Sequence, residues 1–276
     1  MFSKSTIQCF KRAQHLLDEL DPRAKPQVCL LPGSPVPRGN IIVFPGSFNP
    51  PTTAHLAMLR QAREFGRVYG GVGVYAAMSK RTTDKEAVER PLLVDRMLLL
   101  ETVLHSHAPH TGILLFNRGL YVEQAEAIRA QFSEVKQLYF LLGFDKIVQI
   151  FDPHYYQDRD KALRELFALA EILVAPRAGA GPAELSALLA RPENTPFSSH
   201  VHSLPLDTTY RDISSSRIRQ GAVAHEQDVP PEALRFIHET GAYDPPQRLA
   251  DGSTRDVYGE REKAITEAIH SGEEGM

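Results

Sequence analysis

The segment Pro45-Gly46-Ser47-Phe48-Asn49-Pro50-Pro51-Thr52-Thr53-Ala54-His55-Leu56 gathers residue types suited to holding phosphate. Gly46 has no Cβ, so an anion can come close to the backbone N–H groups around it. Thr52 is a helix-starting residue, and His55 three positions on falls in the first helical turn, where the positive end of the helix dipole also acts. Together these residues make an anion cradle with one titratable imidazole. A lone helical His is more often a surface or core residue, but the Gly-Ser-Phe-Asn-Pro sequence beside it tips the reading towards chemistry. Other candidates are weaker. Gly71-Val72-Gly73-Val74-Tyr75-Ala76 fits a dinucleotide pattern formally, yet it runs along a strand and opens no helix. His105, His107 and His110 surround Ala108-Pro109, which points to a solvated loop and not a metal cluster. The chain carries no Walker A run and no Gly-x-Ser-x-Gly elbow.

The elements that must position the cradle follow from hydrophobic pattern. Ile41 to Phe44 is a short apolar, β-branched run ending in Pro-Gly, which predicts a buried strand closing at a turn. Leu56, Leu59, Ala62 and Phe65 then have helical spacing. Further strands are expected at 68–77, 112–116, 135–142, 171–175 and 201–204. Helices are expected at 91–104, 121–132, 161–170, 182–190, 214–220 and 231–239. This alternation predicts an α/β fold built on a parallel sheet with right-handed crossovers, and ligands at the carboxyl ends of its strands. Ahead of it lie an amphipathic helix (Ile7, Phe10, Leu16, Leu17, Leu20) and a stretch, Asp21 to Asn40, punctuated by five prolines and two glycines. From Tyr243 the chain turns polar and is expected to form a loose helix or a mobile tail.

Composition narrows the classes. The 276 residues hold 31 Lys and Arg against 34 Asp and Glu, a formal charge of −3, so no overall basic field exists for a nucleic-acid polymer or an anionic membrane. No apolar run approaches the roughly 20 residues of a membrane span. The two cysteines, Cys9 and Cys29, form neither a disulfide framework nor a metal pair. They suit a reducing compartment, and the expected location is the cytoplasm together with the nucleus.

Gly46-Ser47-Phe48-Asn49-Pro50-x-Thr52-x-x-His55 resembles the phosphate-binding signature of the nucleotidyltransferase superfamily, specifically the nicotinamide- or nicotinate-mononucleotide adenylyltransferases. Thr52 in place of a first His is similar to the eukaryotic members, and Ala54 replaces Gly or Met. A second stretch, Ile213-Ser214-Ser215-Ser216-Arg217-Ile218-Arg219, resembles the family's Ile-Ser-Ser-Thr-x-Ile-Arg motif. Serines at a helix start can donate to phosphate oxygens, and Arg219, four residues after Ser215, falls on the same helix face. Phe140 to Asp145 is similar to a strand ending in Gly-Ala-Asp, with Gly143 and Asp145 towards the acceptor. Met78-Ser79-Lys80 with Arg90 and Asp95-Arg96-Met97 resembles a stretch with a substrate-facing Lys and an Arg-x-x-Met helix, although Arg96 also reads as a solvated helix residue. Leu173 to Gly179 resembles the strand-then-Arg on the adenosine side. The resemblance spans about 41–241.

The resemblance implies a Rossmann-like nucleotidyltransferase fold, with residues 1–40 as lead-in, 41–242 as the nucleotidyltransferase domain and 243–276 as tail. It implies adenylyl transfer from ATP to a pyridine mononucleotide, with catalytic His55 and Arg219. Gly46, Ser47, Phe48, Thr52, His55, Arg177, Ser214, Ser215 and Arg219 would bind ATP, and Ser47, Lys80, Gly143 and Asp145 the acceptor. Mg²⁺ would be held by phosphates and water, without a protein metal site. The partners implied are these small molecules, with homo-oligomerisation left open. No Trp is present to stack on the pyridine ring, leaving Tyr75, Phe116, Tyr121, Phe144 or Phe151. Alternatives are another acceptor or CTP on the same fold, of the phosphopantetheine or phosphocholine type, and a non-catalytic nucleotide-binding or chaperone-like protein.

Overall fold

The computed structural model describes residues 2–68, 70–80, 90–221 and 226–271. The polar stretch read between Ser79 and Glu89 lies mostly outside them. Seven strands make one sheet: β1 (Val28–Leu30), β2 (Gly39–Pro45), β3 (Gly73–Ser79), β4 (Thr111–Phe116), β5 (Val135–Gly143), β6 (Glu171–Ala175) and β7 (Val201–Ser203). Their order is β1-β4-β3-β2-β5-β6-β7, parallel throughout except for β1, which lies antiparallel on β4. From β2 the chain steps outward through β3 and β4, then returns to place β5 on the other side of β2. That reversal opens a crevice above the carboxyl ends of β2 and β5.

Among the described residues ten α-helices accompany the sheet: α1 (Lys4–Asp18), α2 (Thr53–Arg67), α3 (Leu93–His107), α4 (Tyr121–Gln131), α5 (Phe144–Phe151), α6 (Arg159–Leu169), α7 (Pro182–Leu189), α8 (Ser215–Gln220), α9 (Pro231–Thr240) and α10 (Val257–His270). Alternation along the strands divides the core into two layers. Ile42, Phe44, Val74, Ala76 and Leu141 face α1, α2, α3, α9 and α10. Ile41, Val43, Tyr75, Leu138, Phe140 and Leu142 face α4, α5, α6 and α7. The central strands are apolar on both faces, as a covered parallel sheet requires.

The expected α/β alternation is present, with four differences. The strand expected from Val68 begins at Gly73, because α2 continues to Arg67 and the chain turns through Gly70 and Gly71, both with positive φ. Val68 is left exposed. The Pro-rich lead-in contains β1, whose three residues are too few to show a period. A helix, α5, follows β5 directly. The polar tail supplies α10, whose Tyr258 and Ile265 are fully buried.

Those two apolar positions are not the whole attachment. Arg261 holds the buried Asp95 of α3 through two bonds, Nη2 to Oδ1 at 2.7 Å and Nε to Oδ2 at 3.0 Å. Tyr258 donates its hydroxyl to Asp95 Oδ2 at 2.8 Å and accepts from the Leu92 N–H at 2.7 Å. Tyr258→Phe leaves that N–H and one carboxylate lone pair unsatisfied, so it should destabilise the protein by about 1–3 kcal/mol. Urea denaturation of the two proteins tests this, and an unchanged midpoint would show that the hydroxyl contributes nothing.

Candidate active site

The Gly46–Thr52 loop leaves β2 at the crevice and turns into α2. Thr52 caps that helix: its hydroxyl accepts the His55 N–H at 3.3 Å, while its own N–H donates to His55 Nδ1 at 2.9 Å. This reciprocal arrangement satisfies two otherwise unpaired backbone donors. It also decides a proton. Nδ1 accepts from the backbone, so the imidazole hydrogen sits on Nε2, at the end of the ring away from Thr52. Burial, reinforced by the Arg177 charge, pushes the His55 pKa down to about 4. At neutral pH His55 is therefore an uncharged N–H donor.

Phe48 explains how the loop holds this ring. It takes a positive φ of 44° and folds its side chain under the loop, with its ring centroid 5.0 Å from that of His55 and 5.5 Å from that of Phe44. The residue is buried in the core and presents only its backbone to the loop. Asn49, also fully buried, is bonded on every side: its Nδ2 donates to Arg90 O at 3.0 Å, its Oδ1 accepts the Tyr243 hydroxyl at 2.6 Å and its carbonyl accepts Arg219 Nη1 at 2.8 Å.

The second motif arrives where the sequence spacing required. Ser214 caps α8, accepting the Arg217 N–H. Ser215 Oγ donates to Pro50 O at 2.8 Å, so Ser215 and Arg219 both grip the loop from one helix face. Gly46, Ser47, Thr52, His55, Gly143, Arg177, Ser214, Ser215 and Arg219 line one cleft. Lys146, Tyr121 and Arg211 line it too. No carboxylate does, among the described residues, so its field is that of Lys146, Arg211, Arg219 and an Arg177 paired with Asp145, around the half-buried His55 donor.

A second, adjoining compartment shares Pro45, Gly46, Ser47, Tyr121 and Lys146 with the first, and adds Met78, Ser79, Arg96, Gly119 and Gln124. Two ligands could thus meet over the Gly46–Ser47 backbone. Several of the expected site residues have partners that the sequence does not indicate. Lys80 lines neither compartment; its ammonium donates to Leu17 O at 2.7 Å, closing the C-terminal end of α1. Asp145 faces Arg177, with Oδ2 3.1 Å from Nε. Arg96 is buried and not solvated, at 8% exposure. Of the five aromatic candidates Tyr121 lines both compartments, whereas Tyr75, Phe116 and Phe151 are buried and Phe144 packs against the core. Lys146 and Arg211 were missed. A helix placed directly after β5 would have put Lys146 beside Gly143; Arg211 carries no local signal.

Comparison with known proteins agrees with this geometry. The cytidylyltransferase-like family model matches residues 43–221, which contain both motifs and well over half of the chain. This chain belongs to the cytidylyltransferase-like family. A Schizosaccharomyces pombe relative, named "Putative nicotinamide mononucleotide adenylyltransferase", is 26% identical over 170 residues, 59% of this chain and 63% of that protein. A Gloeobacter violaceus relative, named "Probable nicotinate-nucleotide adenylyltransferase", is 27% identical over 214 residues, 74% of this chain and 96% of that protein. The solved Plasmodium falciparum nicotinic acid mononucleotide adenylyltransferase, in complex with APC, superposes with a TM-score of 0.50 at 19% identity, over 74% of this chain and 97% of that one. This likeness shows the Rossmann-like fold. Within this cytidylyltransferase-like chain α1, β1, α9 and α10 fall outside the matched span; β1 joins the edge of the sheet, and α1, α9 and α10 pack on α3 and on one another.

The lowered pKa of His55 links it to stability. As pH falls below about 6.5 the unfolded chain protonates this residue, whereas the native state resists until about 4. The contribution is therefore complete above pH 6.5 and lost between 6.5 and 4, at up to about 1.4 kcal/mol per pH unit. Urea midpoints measured from pH 7 to 4.5 should fall more steeply for the natural protein than for His55→Gln. Parallel curves would contradict the burial of a neutral imidazole.

Proposed function

We propose that this protein transfers the adenylyl group of ATP to nicotinamide or nicotinate mononucleotide, forming the dinucleotide and pyrophosphate. The observation that carries the reading is the neutral His55 donor, locked by Thr52, in a carboxylate-free cationic cleft that adjoins a second compartment. The residue matches with the family and the names of the relatives support the choice of substrates.

The chemistry follows from charge. The acceptor's 5′-phosphate oxygen is already an anion, so its attack on the α-phosphorus needs no general base. His55 could not serve as one, because Nδ1 is occupied and Nε2 carries the proton. Its role is to donate a hydrogen bond to the α-phosphate as negative charge grows during in-line displacement. Gly46 and Ser47 hold the reacting groups over the loop. Arg219, Ser214 and Ser215 meet the β- and γ-phosphates, and pyrophosphate leaves towards them. Arg177 lies on the nucleoside side, paired with Asp145, and Tyr121 offers the aromatic surface nearest to both compartments.

Mg²⁺ belongs to this reading as an ion carried by the triphosphate. The donors lining the cleft are hydroxyls and cations, and among the described residues no three His, Cys, Asp or Glu side chains cluster. That set fits an ion liganded by phosphate oxygens and water, whose chemistry is to neutralise charge on the phosphates.

Purified protein with Mg·ATP and either mononucleotide should yield dinucleotide and pyrophosphate, separable by chromatography. His55→Ala should lower kcat by about 10²-fold or more while the circular dichroism spectrum is retained. Product formed only with CTP, phosphopantetheine or phosphocholine would redirect the reading to another acceptor. ATP binding with no product from any acceptor would select a non-catalytic role, and near-normal turnover in His55→Ala would reject the assigned mechanism.

A further inference from the structure

Tyr243 lies beyond the residues that the family model matches, yet it holds the centre of the phosphate loop. Its hydroxyl donates to Asn49 Oδ1 at 2.6 Å, while Asn49 Nδ2 donates to Arg90 O at 3.0 Å. A donor at one end of the amide and an acceptor at the other leave it a single orientation. Asn49 stands three residues after Gly46 and three before Thr52, and its own carbonyl accepts Arg219 Nη1 at 2.8 Å. The residue therefore links the β2 end of the loop, the cap that holds His55, and the arginine assigned to the departing phosphates.

The sequence around Tyr243 gives that hydroxyl a rigid mount. α9 buries Ala233 and Ile237 and packs on α3. It ends at Gly241, whose φ of 59° is the left-handed cap that glycine adopts without strain. The Asp244 N–H returns to Gly241 O at 3.0 Å, so the chain turns at once and carries Tyr243 on the turn. Its ring packs against the core layer that holds Phe44, Phe48 and Leu56. Burial raises the pKa of the hydroxyl, against the lowering effect of Arg219 and Arg96, so the phenol keeps the proton that it donates.

We infer that Tyr243 is a positioning residue for adenylyl transfer: through Asn49 it fixes the loop and the Arg219 guanidinium in the geometry that the transition state needs. This rests on the adenylyltransferase reading above. Tyr243 lines neither compartment, so it acts through Asn49 and not by contact with a ligand. Without its hydroxyl the Asn49 amide can swing and the loop carbonyl no longer meets Arg219 at a fixed place. Donors preset for the leaving pyrophosphate must then be aligned during the reaction. The loss falls on kcat, because contacts that strengthen in the transition state are the ones that depend on this alignment.

Steady-state kinetics of the full chain, with Mg·ATP and nicotinamide or nicotinate mononucleotide, test this. Tyr243→Phe should lower kcat by about 10- to 100-fold and change KM for ATP and for the acceptor by less than about 3-fold. Tyr258→Phe is the control, since it removes a buried hydroxyl of α10 that bonds Asp95 and not the loop. It should lower the urea midpoint while kcat stays within about 2-fold of the natural protein. Tyr243→Phe combined with Arg219→Lys should cost little more than Arg219→Lys alone, because both changes break one linkage. If Tyr243→Phe does not fold, Asp256→Asn takes its place: it loosens Arg90, the other partner of the Asn49 amide, and should lower kcat by about 3-fold. Unchanged kcat in the variant measured, raised KM values with kcat kept, or losses that multiply in the double variant overturn the assignment. A natural protein that turns over neither mononucleotide overturns the adenylyltransferase reading, and this inference with it.

Discussion

Everything in the cleft depends on how the loop after β2 is fixed, and Asn49 is where that is done. Its side chain and carbonyl make three hydrogen bonds to segments 41, 194 and 170 residues away, through Arg90, Tyr243 and Arg219. A buried amide left half-satisfied would be expensive, so each partner is also held by it. The loop is thereby built from distant parts of the chain before any ligand arrives. Preorganisation of this kind is what lets hydrogen-bond donors act without reorganisation cost during a reaction.

The second organising feature is the segregation of charge. Three carboxylates near the crevice are each paired with an arginine: Asp145 with Arg177, Asp95 with Arg261, and Asp256 with Arg90. The cleft keeps the cations and the neutral imidazole. His55 is uncharged because desolvation and the nearby Arg177 both disfavour the imidazolium. The arrangement suits negative charge that moves between phosphates, and it gives the protein no need for a basic group.

The elements outside the matched family span belong to the same physical unit. α10 clamps the start of α3, and Tyr243 reaches Asn49 from the connection between α9 and α10. Lys80, which the resemblance places towards the substrate, donates to the end of α1, whose C-terminal carbonyls come within its reach and present negative ends of peptide dipoles. A lysine's long stem allows such a choice, and local sequence carries no record of which carbonyl is near.

The sequence by itself determined the alternation of strands and helices, the loop motif with Thr52 and His55, and the face shared by Ser215 and Arg219. Those follow from periodicity and from contacts within one helical turn, which depend only on residues a few positions apart. The tertiary structure decided the rest: the antiparallel β1, the docked α10, the partners of Lys80 and Asp145, and the presence of Lys146, Arg211 and Arg96 around the cleft. Each of these rests on contacts between residues far apart in the chain, and short strands, exposed-looking charges and polar tails leave no periodic trace of them. The proton on His55 joins the two levels, since its tautomer is set by Thr52 three residues away and its low pKa by burial that only the folded chain provides.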